Sequence, residues 1–208
     1  MRGQKGLFVV FEGLDCSGKT TTLNLVDEGL NKRGWNTIGF KGVASNTEFG
    51  KKIKDKYSTF WFLVDLFLVT CRLIKPSLKI RRIILQDKYH YYLQTYWPNG
   101  LYIENQIWFW IFEKLACRPD LLIYFDVDND VHRERLIHST EGHANHYRLA
   151  TEKDFLEIRK KIYDYVLARF EQRGGKVLRI NTTHKAPAEV AIEVTKAIEA
   201  LQEGVRHG

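Results

Sequence analysis

The N-terminal segment combines three features that few folds satisfy together. Residues 7–11 (LFVVF) form a short, continuously apolar run, which is typical of a strand buried on both faces of a parallel sheet. The turn that follows places Gly13 and Gly18 on either side of four residues. Residues 19–33 then carry apolar side chains on one side of a predicted helix, and Gly34 ends it. This strand, turn and helix predict an α/β fold.

The rest of the chain continues this alternation of strands and helices. Four further strands are predicted, over residues 35–40, 82–86, 121–127 and 177–180. Two long helices are predicted over residues 151–170, with Thr151 and Asp154 as a capping box, and over residues 187–204. Strands separated by helices indicate a five-stranded parallel sheet with helices on both faces. We expect residues 1–208 to form one domain whose ligands bind at the carboxyl ends of the strands.

The composition excludes several classes of protein. With 44% hydrophobic and 27% charged residues, the chain is expected to be globular rather than disordered. Its three cysteines have no CxxC spacing, which argues against a disulfide framework or a zinc site and predicts a reducing, cytoplasmic location. The apolar stretch at residues 59–74 contains Asp65 and Arg72 and is too short to span a bilayer, so we interpret it as a buried helix. No membrane association is expected.

The glycine-rich turn has the spacing of a phosphate-binding loop. Its backbone N–H groups can surround a phosphate, and the following helix adds the positive end of its dipole. In this pattern Lys19 reaches the terminal phosphates and the hydroxyl of Thr20 ligates Mg²⁺. The sequence therefore predicts a nucleoside triphosphate site. Its predicted members are Gly13, Cys16, Ser17, Gly18, Lys19, Thr20 and Thr21.

Two carboxylates next to this loop are further candidates. Asp15 lies inside the loop, where it can orient an acceptor sugar hydroxyl, orient a magnesium-bound water, or be held by backbone N–H groups. Asp87 follows a predicted strand and can assist a magnesium ion or cap the next helix. Cys16 lies near a helix N-terminus, where a lowered pKa would favour redox control, although a small space-filling role explains it more simply.

Three segments resemble the thymidylate kinase family. FEGLDCSGKTTT (residues 11–22) resembles its phosphate loop, QDKYHYY (86–92) its Asp-Arg-Tyr segment, and RPDLLIYFDVDNDVHRERL (118–136) its Pro-Asp-Leu strand and following helix. The resemblance implies a P-loop kinase fold with a short lid. It also implies ATP and Mg²⁺ as cofactors, a nucleoside monophosphate as substrate, and a homodimer formed through helices.

The acceptor side departs from the family pattern. Lys41-Gly42-Val43 replaces the family's Arg-Glu-Pro, which removes a bidentate guanidinium. Lys88 and Tyr92 replace an Arg and a Ser, and Thr95-Tyr96-Trp97 replaces Ala-Tyr-Gln. The resemblance nevertheless implies an acceptor site, with these expected members: Asp15, Lys41, Arg72, Asp87, Lys88 and Tyr92. Five aromatic residues can stack on a base or pack in the core: Trp61, Phe62, Tyr89, Tyr96 and Trp97.

The polar segment at about residues 138–150 is the predicted lid. Family members that lack an arginine in the phosphate loop supply one from the lid. By this resemblance, Arg148 is the first candidate for contact with the transferring phosphoryl group, and Arg135 is the second. Four histidines fall in or near this region, at positions 132, 138, 143 and 146. They can bind a transition metal or belong to a solvated loop, and the absence of a recognised ligand spacing favours the loop.

These features lead to one leading hypothesis and two alternatives. The leading hypothesis is ATP-dependent phosphoryl transfer to a deoxynucleoside monophosphate, with dTMP as the first choice and Asp15, Lys19 and Arg148 as catalytic residues. A deoxynucleoside kinase is the first alternative and would explain the missing acceptor-side arginine. The second is a nucleic-acid-associated NTPase, suggested by the net charge of +7 and a pI near 9.2. The chain has little room for a nucleic-acid module, so nucleic acid is not the expected partner.

Overall fold

The computed structural model describes residues 6–42, 45–53, 59–95, 103–139 and 144–204. Val43, Tyr96, Trp97 and residues 140–143 of the predicted lid lie outside them. The described chain contains five strands: β1 (Leu7–Glu12), β2 (Thr37–Phe40), β3 (Ile83–Asp87), β4 (Leu121–Asp126) and β5 (Val177–Asn181). They form one sheet in the order β2-β3-β1-β4-β5, and every neighbouring pair is parallel. The predicted five-stranded parallel sheet is confirmed.

Helices connect these strands. Their bounds are α1 (Lys19–Lys32), α2 (Glu48–Ile53), α3 (Thr59–Val69), α4 (Lys75–Lys79), α5 (His90–Thr95), α6 (Ile103–Leu115), α7 (Asn129–Ile137), α8 (Ala144–Thr151), α9 (Lys153–Gln172) and α10 (Pro187–Gly204). A π-helical turn, Thr70–Ile74, joins α3 to α4. The predicted helices at residues 19–33 and 187–204 are confirmed to within one residue.

The sheet separates two hydrophobic cores. Phe8 and Val10 of β1 point to one core, which α9 closes, and Val9 and Phe11 point to the other, which α1 and α10 close. All six residues of β1 are buried, as the continuous apolar pattern indicates for a central strand of a parallel sheet. Helices therefore cover both faces, and the carboxyl ends of β1 and β3 lie side by side because their registers pair Phe11 with Asp87.

Two sequence predictions are wrong. Thr151 is not an N-cap, because α8 includes it and the backbone N–H of Glu152 donates a helical hydrogen bond to the carbonyl of Arg148. Glu152 is the residue that precedes α9, and its side chain makes no capping hydrogen bond. A residue that continues a helix cannot take the extended conformation of an N-cap.

The stretch at residues 59–74 is not a buried helix either. Phe60 is 53% exposed and Phe67 is 47% exposed, whereas Leu66 and Val69 are buried, because only one side of α3 packs against the rest of the chain. Within the described residues, no helix is both long enough and apolar enough to cross a membrane.

Candidate active site

Backbone conformation shapes the turn between β1 and α1. Gly13 and Gly18 have φ angles of 142° and 91°, which side-chain-bearing residues rarely adopt. A Cβ atom at Gly13 would lie 2.6 Å from the carbonyl oxygen of Phe125, so this position also needs glycine for space. Gly18 is the N-cap of α1, so the helix begins with Lys19 as predicted.

Three side chains bind carbonyl oxygens of the loop. The ammonium of Lys19 donates to the carbonyl of Leu14 over 2.6 Å. The imidazole Nε2 of His132 lies 2.6 Å from the carbonyl oxygen of Asp15. The hydroxyl of Thr182 donates to the carbonyl of Ser17 over 3.1 Å. Turning carbonyls outward in this way leaves amide groups of a loop available to an anion.

Lys19 is buried against this loop. Its side chain also lies 3.3 Å from the hydroxyl of Ser17. Burial lowers the pKa of the Lys19 ammonium to about 8, and the positive charge of Lys88 acts in the same direction. The group is therefore still mostly protonated at neutral pH, when it can meet a phosphate as a cation.

A hydroxyl and a carboxylate meet at the open side of the loop. The hydroxyl of Thr20 donates to Oδ2 of Asp87 over 2.6 Å. The other oxygen of that carboxylate, Oδ1, is buried and accepts no hydrogen bond from the described residues. Oxygen ligands of this kind suit Mg²⁺, which proteins hold through one or two carboxylates together with substrate phosphates. The described part of the chain contains no group of three or more His, Cys, Asp or Glu side chains that could hold a metal ion by themselves.

Three predicted acceptor residues are brought together beside the loop. Lys88 forms an ion pair of 2.5 Å with Oδ1 of Asp15. The hydroxyl of Tyr92 donates to Oδ2 of Asp15 over 3.2 Å, and the Lys88 ammonium lies 4.3 Å from the centre of the Tyr92 ring. Asp15 is therefore held by side chains, a role that none of the three interpretations of this residue included.

Glu12 connects the donor and acceptor segments. Its buried carboxylate accepts a hydrogen bond of 2.8 Å from the backbone N–H of Tyr89 and one of 2.9 Å from the hydroxyl of Tyr163. Burial raises the pKa of Glu12 to about 7, although these hydrogen bonds oppose the shift. The end of β1 and the start of the acceptor segment are thus fixed to one carboxyl group.

A small cavity of about 20 Å³ lies next to Lys88. Phe62 and Tyr89, two of the aromatic candidates, line it together with Gln86 and the buried Asp65, to which Thr47 donates a hydrogen bond. The space is large enough for about one water molecule. Trp61 does not line it and is 39% exposed.

Five other predicted residues make no hydrogen bond or ion pair with the loop among the described contacts. Arg148 pairs with Glu152 at 3.0 Å and lies over the ring of Phe155. The side chains of Lys41, Arg72 and Thr21 are exposed. Arg135 donates to the carbonyl of Thr182 over 2.8 Å, so it supports the loop indirectly. The contacts of Arg148, Lys41 and Arg72 with a bound nucleotide stay predictions.

Sequence reasoning missed the supporting residues. It grouped His132 with the lid histidines, whereas His132 is buried on α7 and contacts the loop. Burial lowers the pKa of His132 to about 4, so the ring is neutral at physiological pH. Glu12, Tyr163 and Thr182 were given no role, because nothing in their spacing shows that they meet the loop across the sheet. The position of Glu12 directly before Gly13 was the one available signal.

Comparisons with known proteins agree with this geometry. The family model for thymidylate kinase matches residues 11–193. A probable thymidylate kinase of Thermococcus onnurineus is 29% identical over 186 residues, which cover 80% of this chain and 85% of the relative. A thymidylate kinase of Leptospira borgpetersenii is 29% identical over 203 residues, 93% of each chain.

Solved structures give the same result for the fold. The crystal structure of thymidylate kinase from Ehrlichia chaffeensis superposes with a TM-score of 0.67 at 19% identity, and the match covers 94% of this chain and 99% of that one. At this identity the superposition supports the P-loop kinase fold, while the family model, which spans most of the chain, identifies the family. The protein therefore belongs to the thymidylate kinase family.

Proposed function

We propose that this protein transfers the γ-phosphoryl group of ATP to dTMP, producing dTDP and ADP. The observation that carries the proposal is the phosphate loop itself, with Lys19 buried against it and Asp15 held next to it by Lys88 and Tyr92. A phosphate loop and an adjoining carboxylate on the same segment support a donor site next to an acceptor site. Family membership favours a monophosphate acceptor over a free nucleoside or a nucleic acid.

Each side chain contributes a distinct part of the reaction. The loop amides and Lys19 bind the β- and γ-phosphates and stabilise charge as the phosphoryl group moves. Lys88 neutralises Asp15, so that the acceptor phosphate meets less repulsion, and Tyr92 fixes the orientation of the carboxylate. Asp15 then orients the acceptor. Phosphoryl transfer relies mainly on such positioning and charge stabilisation.

Mg²⁺ is the proposed metal cofactor. When bound, it neutralises charge on the β- and γ-phosphate oxygens. Thr20 and Asp87 are the residues that would hold it, and the buried Oδ1 of Asp87, which has no hydrogen-bond partner among the described residues, fits a cation ligand.

Residues 138–150 are the proposed lid of a single kinase domain formed by residues 1–208. Arg148 would contact the transferring phosphoryl group after breaking its ion pair with Glu152. Both side chains of this ion pair are about half exposed. Exposed pairs of this kind contribute about 0–1 kcal/mol, so exchange of partners costs little. We further propose a cytoplasmic location, because the three cysteines form no disulfide bond with one another.

A panel of acceptors tests the proposed reaction. ADP release from ATP is measured with dTMP, dUMP, dCMP, the other monophosphates, the free nucleosides and no acceptor. We expect the highest kcat/KM with dTMP and little release without acceptor. Preference for a free nucleoside would replace the proposal with a nucleoside kinase, and acceptor-independent, nucleic-acid-stimulated release would indicate an NTPase.

We propose that a second copy of this chain covers the exposed faces of α3 and α6. Phe60 and Phe67 on α3 and Ile107 on α6 are each about half exposed or more, and the two helices pack against each other. Such a patch marks an interaction surface. Sedimentation should show a dimer that Ile107→Glu dissociates. Ile192→Glu, at a similarly exposed site on α10, should stay dimeric, and a monomeric wild-type protein would contradict the proposal.

A further inference from the structure

A buried glutamine lies where β2 and β3 end. Gln86 is 2% exposed, and the sheet register pairs it with Phe40, the last residue of β2. It also lines the small cavity next to Lys88. Burying a polar side chain costs free energy unless its amide is hydrogen-bonded, so the partners of this amide indicate its role.

Three backbone carbonyls surround the side-chain nitrogen of Gln86. Nε2 donates to the carbonyl oxygens of Lys41 and Lys88, each over 3.0 Å. The carbonyl of Asp87 is a third acceptor, at 3.2 Å. The amide has two N–H hydrogens, which the three oxygens therefore share. These contacts also fix the orientation of the amide, because turning it over would bring its oxygen against three other oxygens.

The oxygen of the same amide is not satisfied. Oε1 of Gln86 is buried and accepts no hydrogen bond from the described residues. An unsatisfied buried acceptor costs free energy, and a methionine of similar size would avoid that cost. The favourable polar contacts of this side chain are therefore those of its nitrogen with the three carbonyls.

Two of these carbonyls belong to the turn at residues 87–89, whose backbone conformation is uncommon. Lys88 has a φ angle of 57°, in the left-handed region that residues other than glycine rarely adopt. The backbone N–H of Lys88 donates to the Phe11 carbonyl, and that of Tyr89 donates to the Glu12 carboxylate. Thus β1 holds the N–H groups of the turn, while the side-chain amide holds its carbonyl groups. A conformation of this kind persists only where surrounding contacts fix it.

The backbone conformation of Lys88 decides where its ammonium lies. The ammonium pairs with Oδ1 of Asp15 at 2.5 Å and lies over the ring of Tyr92. Because φ and ψ set the direction in which a side chain leaves the backbone, relaxation of the turn would move the ammonium away from both partners. Asp87 depends less on Gln86, because it stays paired with β1 in the sheet.

We propose that Gln86 is a positioning residue for the acceptor: its side-chain nitrogen holds the turn at residues 87–89 so that the ammonium of Lys88 stays on Asp15. The Lys41 carbonyl anchors this nitrogen to the end of β2. In this role Gln86 acts through Lys88 and need not contact the substrate. The inference rests on the proposed phosphoryl transfer to dTMP and names a residue on which its acceptor side depends.

Gln86→Met keeps the length of the side chain and removes both N–H donors. We expect KM for dTMP to rise by about threefold to tenfold, the change that corresponds to the loss of a hydrogen bond, while KM for ATP stays unchanged. Gln202→Met, which replaces a buried glutamine near the end of α10, is the matched control and should leave both KM values unchanged even where it lowers the melting temperature. An unchanged KM for dTMP in Gln86→Met, or equal rises in both KM values, would overturn the proposal.

A double-mutant cycle with Lys88→Met shows whether Gln86 acts through Lys88. Once the ammonium is absent, Gln86→Met should raise KM for dTMP by less than about twofold further. Effects of the two substitutions that multiply in full would contradict the proposal, because the two residues would then act independently.

A crystal structure of Gln86→Met tests the same contact without turnover. We expect the Lys88 ammonium to lie more than about 4 Å from the Asp15 carboxylate, beyond the range of an ion pair. A retained ion pair would overturn the proposal. A wild-type protein without turnover of dTMP would contradict the proposed function instead, and this distance would still be measured. If Gln86→Met does not fold, Gln86→Asn, which is one methylene too short to reach the carbonyls, takes its place in all three measurements.

Discussion

The donor and acceptor sides of the proposed active site are built differently. On the donor side, the backbone forms the site, and Lys19, His132 and Thr182 hold its carbonyls in place. On the acceptor side, the known contacts are between side chains, and the adjoining cavity is only about 20 Å³. The donor loop therefore takes its shape from its own backbone, with His132 and Thr182 as distant supports, whereas the acceptor side consists of side-chain contacts and must open for a nucleotide.

Lys19→Ala is the strongest test of the donor side. Removing the ammonium should lower kcat by about a hundredfold or more, because charge at the migrating phosphoryl group loses a preorganised partner. Steady-state kinetics measures this, and circular dichroism checks that the fold is retained. Lys32→Ala, an exposed lysine on the same helix, is the control. Activity close to that of the wild type would contradict the assigned role of the loop.

Asp87→Asn tests the boundary between the two sides. The variant keeps the shape of the side chain but loses the anionic ligand, so the Mg²⁺ concentration for half-maximal rate should rise about tenfold to a hundredfold. The measurement is a Mg²⁺ titration of the rate at saturating ATP. Asp130→Asn, at a fully exposed position on α7, should leave the titration unchanged. An unchanged requirement in Asp87→Asn would remove this residue from the metal site.

His132→Leu asks whether support from α7 maintains the donor loop. The variant leaves the Asp15 carbonyl without its hydrogen-bond donor. A buried acceptor that loses its donor costs about 1–3 kcal/mol, so we expect KM for ATP to rise about tenfold. His132→Gln can donate to the same carbonyl and should restore much of the affinity. Glu134→Leu, at an exposed position of the same helix, is the control. A lower melting temperature with unchanged KM would show a purely structural role.

Lys88→Met addresses the acceptor side alone. Loss of the partly buried ion pair with Asp15 should raise KM for dTMP by about fivefold and leave KM for ATP unchanged. Lys176→Met, an exposed lysine before β5, serves as the control. Equal changes in both KM values would show that the two sides do not behave as separate sites.

Glu12→Gln tests the raised pKa of the residue that joins the two sides. The measured quantity is the free energy of unfolding rather than the reaction rate. Between pH of about 4.5 and about 7, the folded state keeps a proton on Glu12 that the unfolded state releases, so the free energy of unfolding of the wild type falls as pH rises. Glutamine does not titrate, so the variant should gain stability relative to the wild type across this interval. Denaturant unfolding at about pH 5 and about pH 8 measures the difference. A difference that stays constant between the two pH values would contradict the raised pKa of Glu12.

The parts of the protein that the sequence predicted are those fixed by short-range rules. Apolar runs defined the buried strands, and the spacing of Gly13, Gly18 and Lys19 defined the loop, because each depends on neighbouring residues. The prediction of a capping box at Thr151 failed because the capping preference of threonine is weak and α8 continues through that residue. The prediction of a buried helix at α3 failed because apolar composition does not reveal which face of a helix packs against the rest of the protein.

The sequence by itself determined the sheet, its order of strand and helix, and the donor loop with its lysine and hydroxyl. Only the tertiary structure decided that His132 is a support of that loop rather than a lid residue, that Lys88 and Tyr92 hold Asp15, and that Glu12 joins donor to acceptor. These contacts bridge separations of 73 to 151 residues along the chain. Packing of the helices on the sheet creates them, and no local pattern encodes which distant side chain will fill a given place.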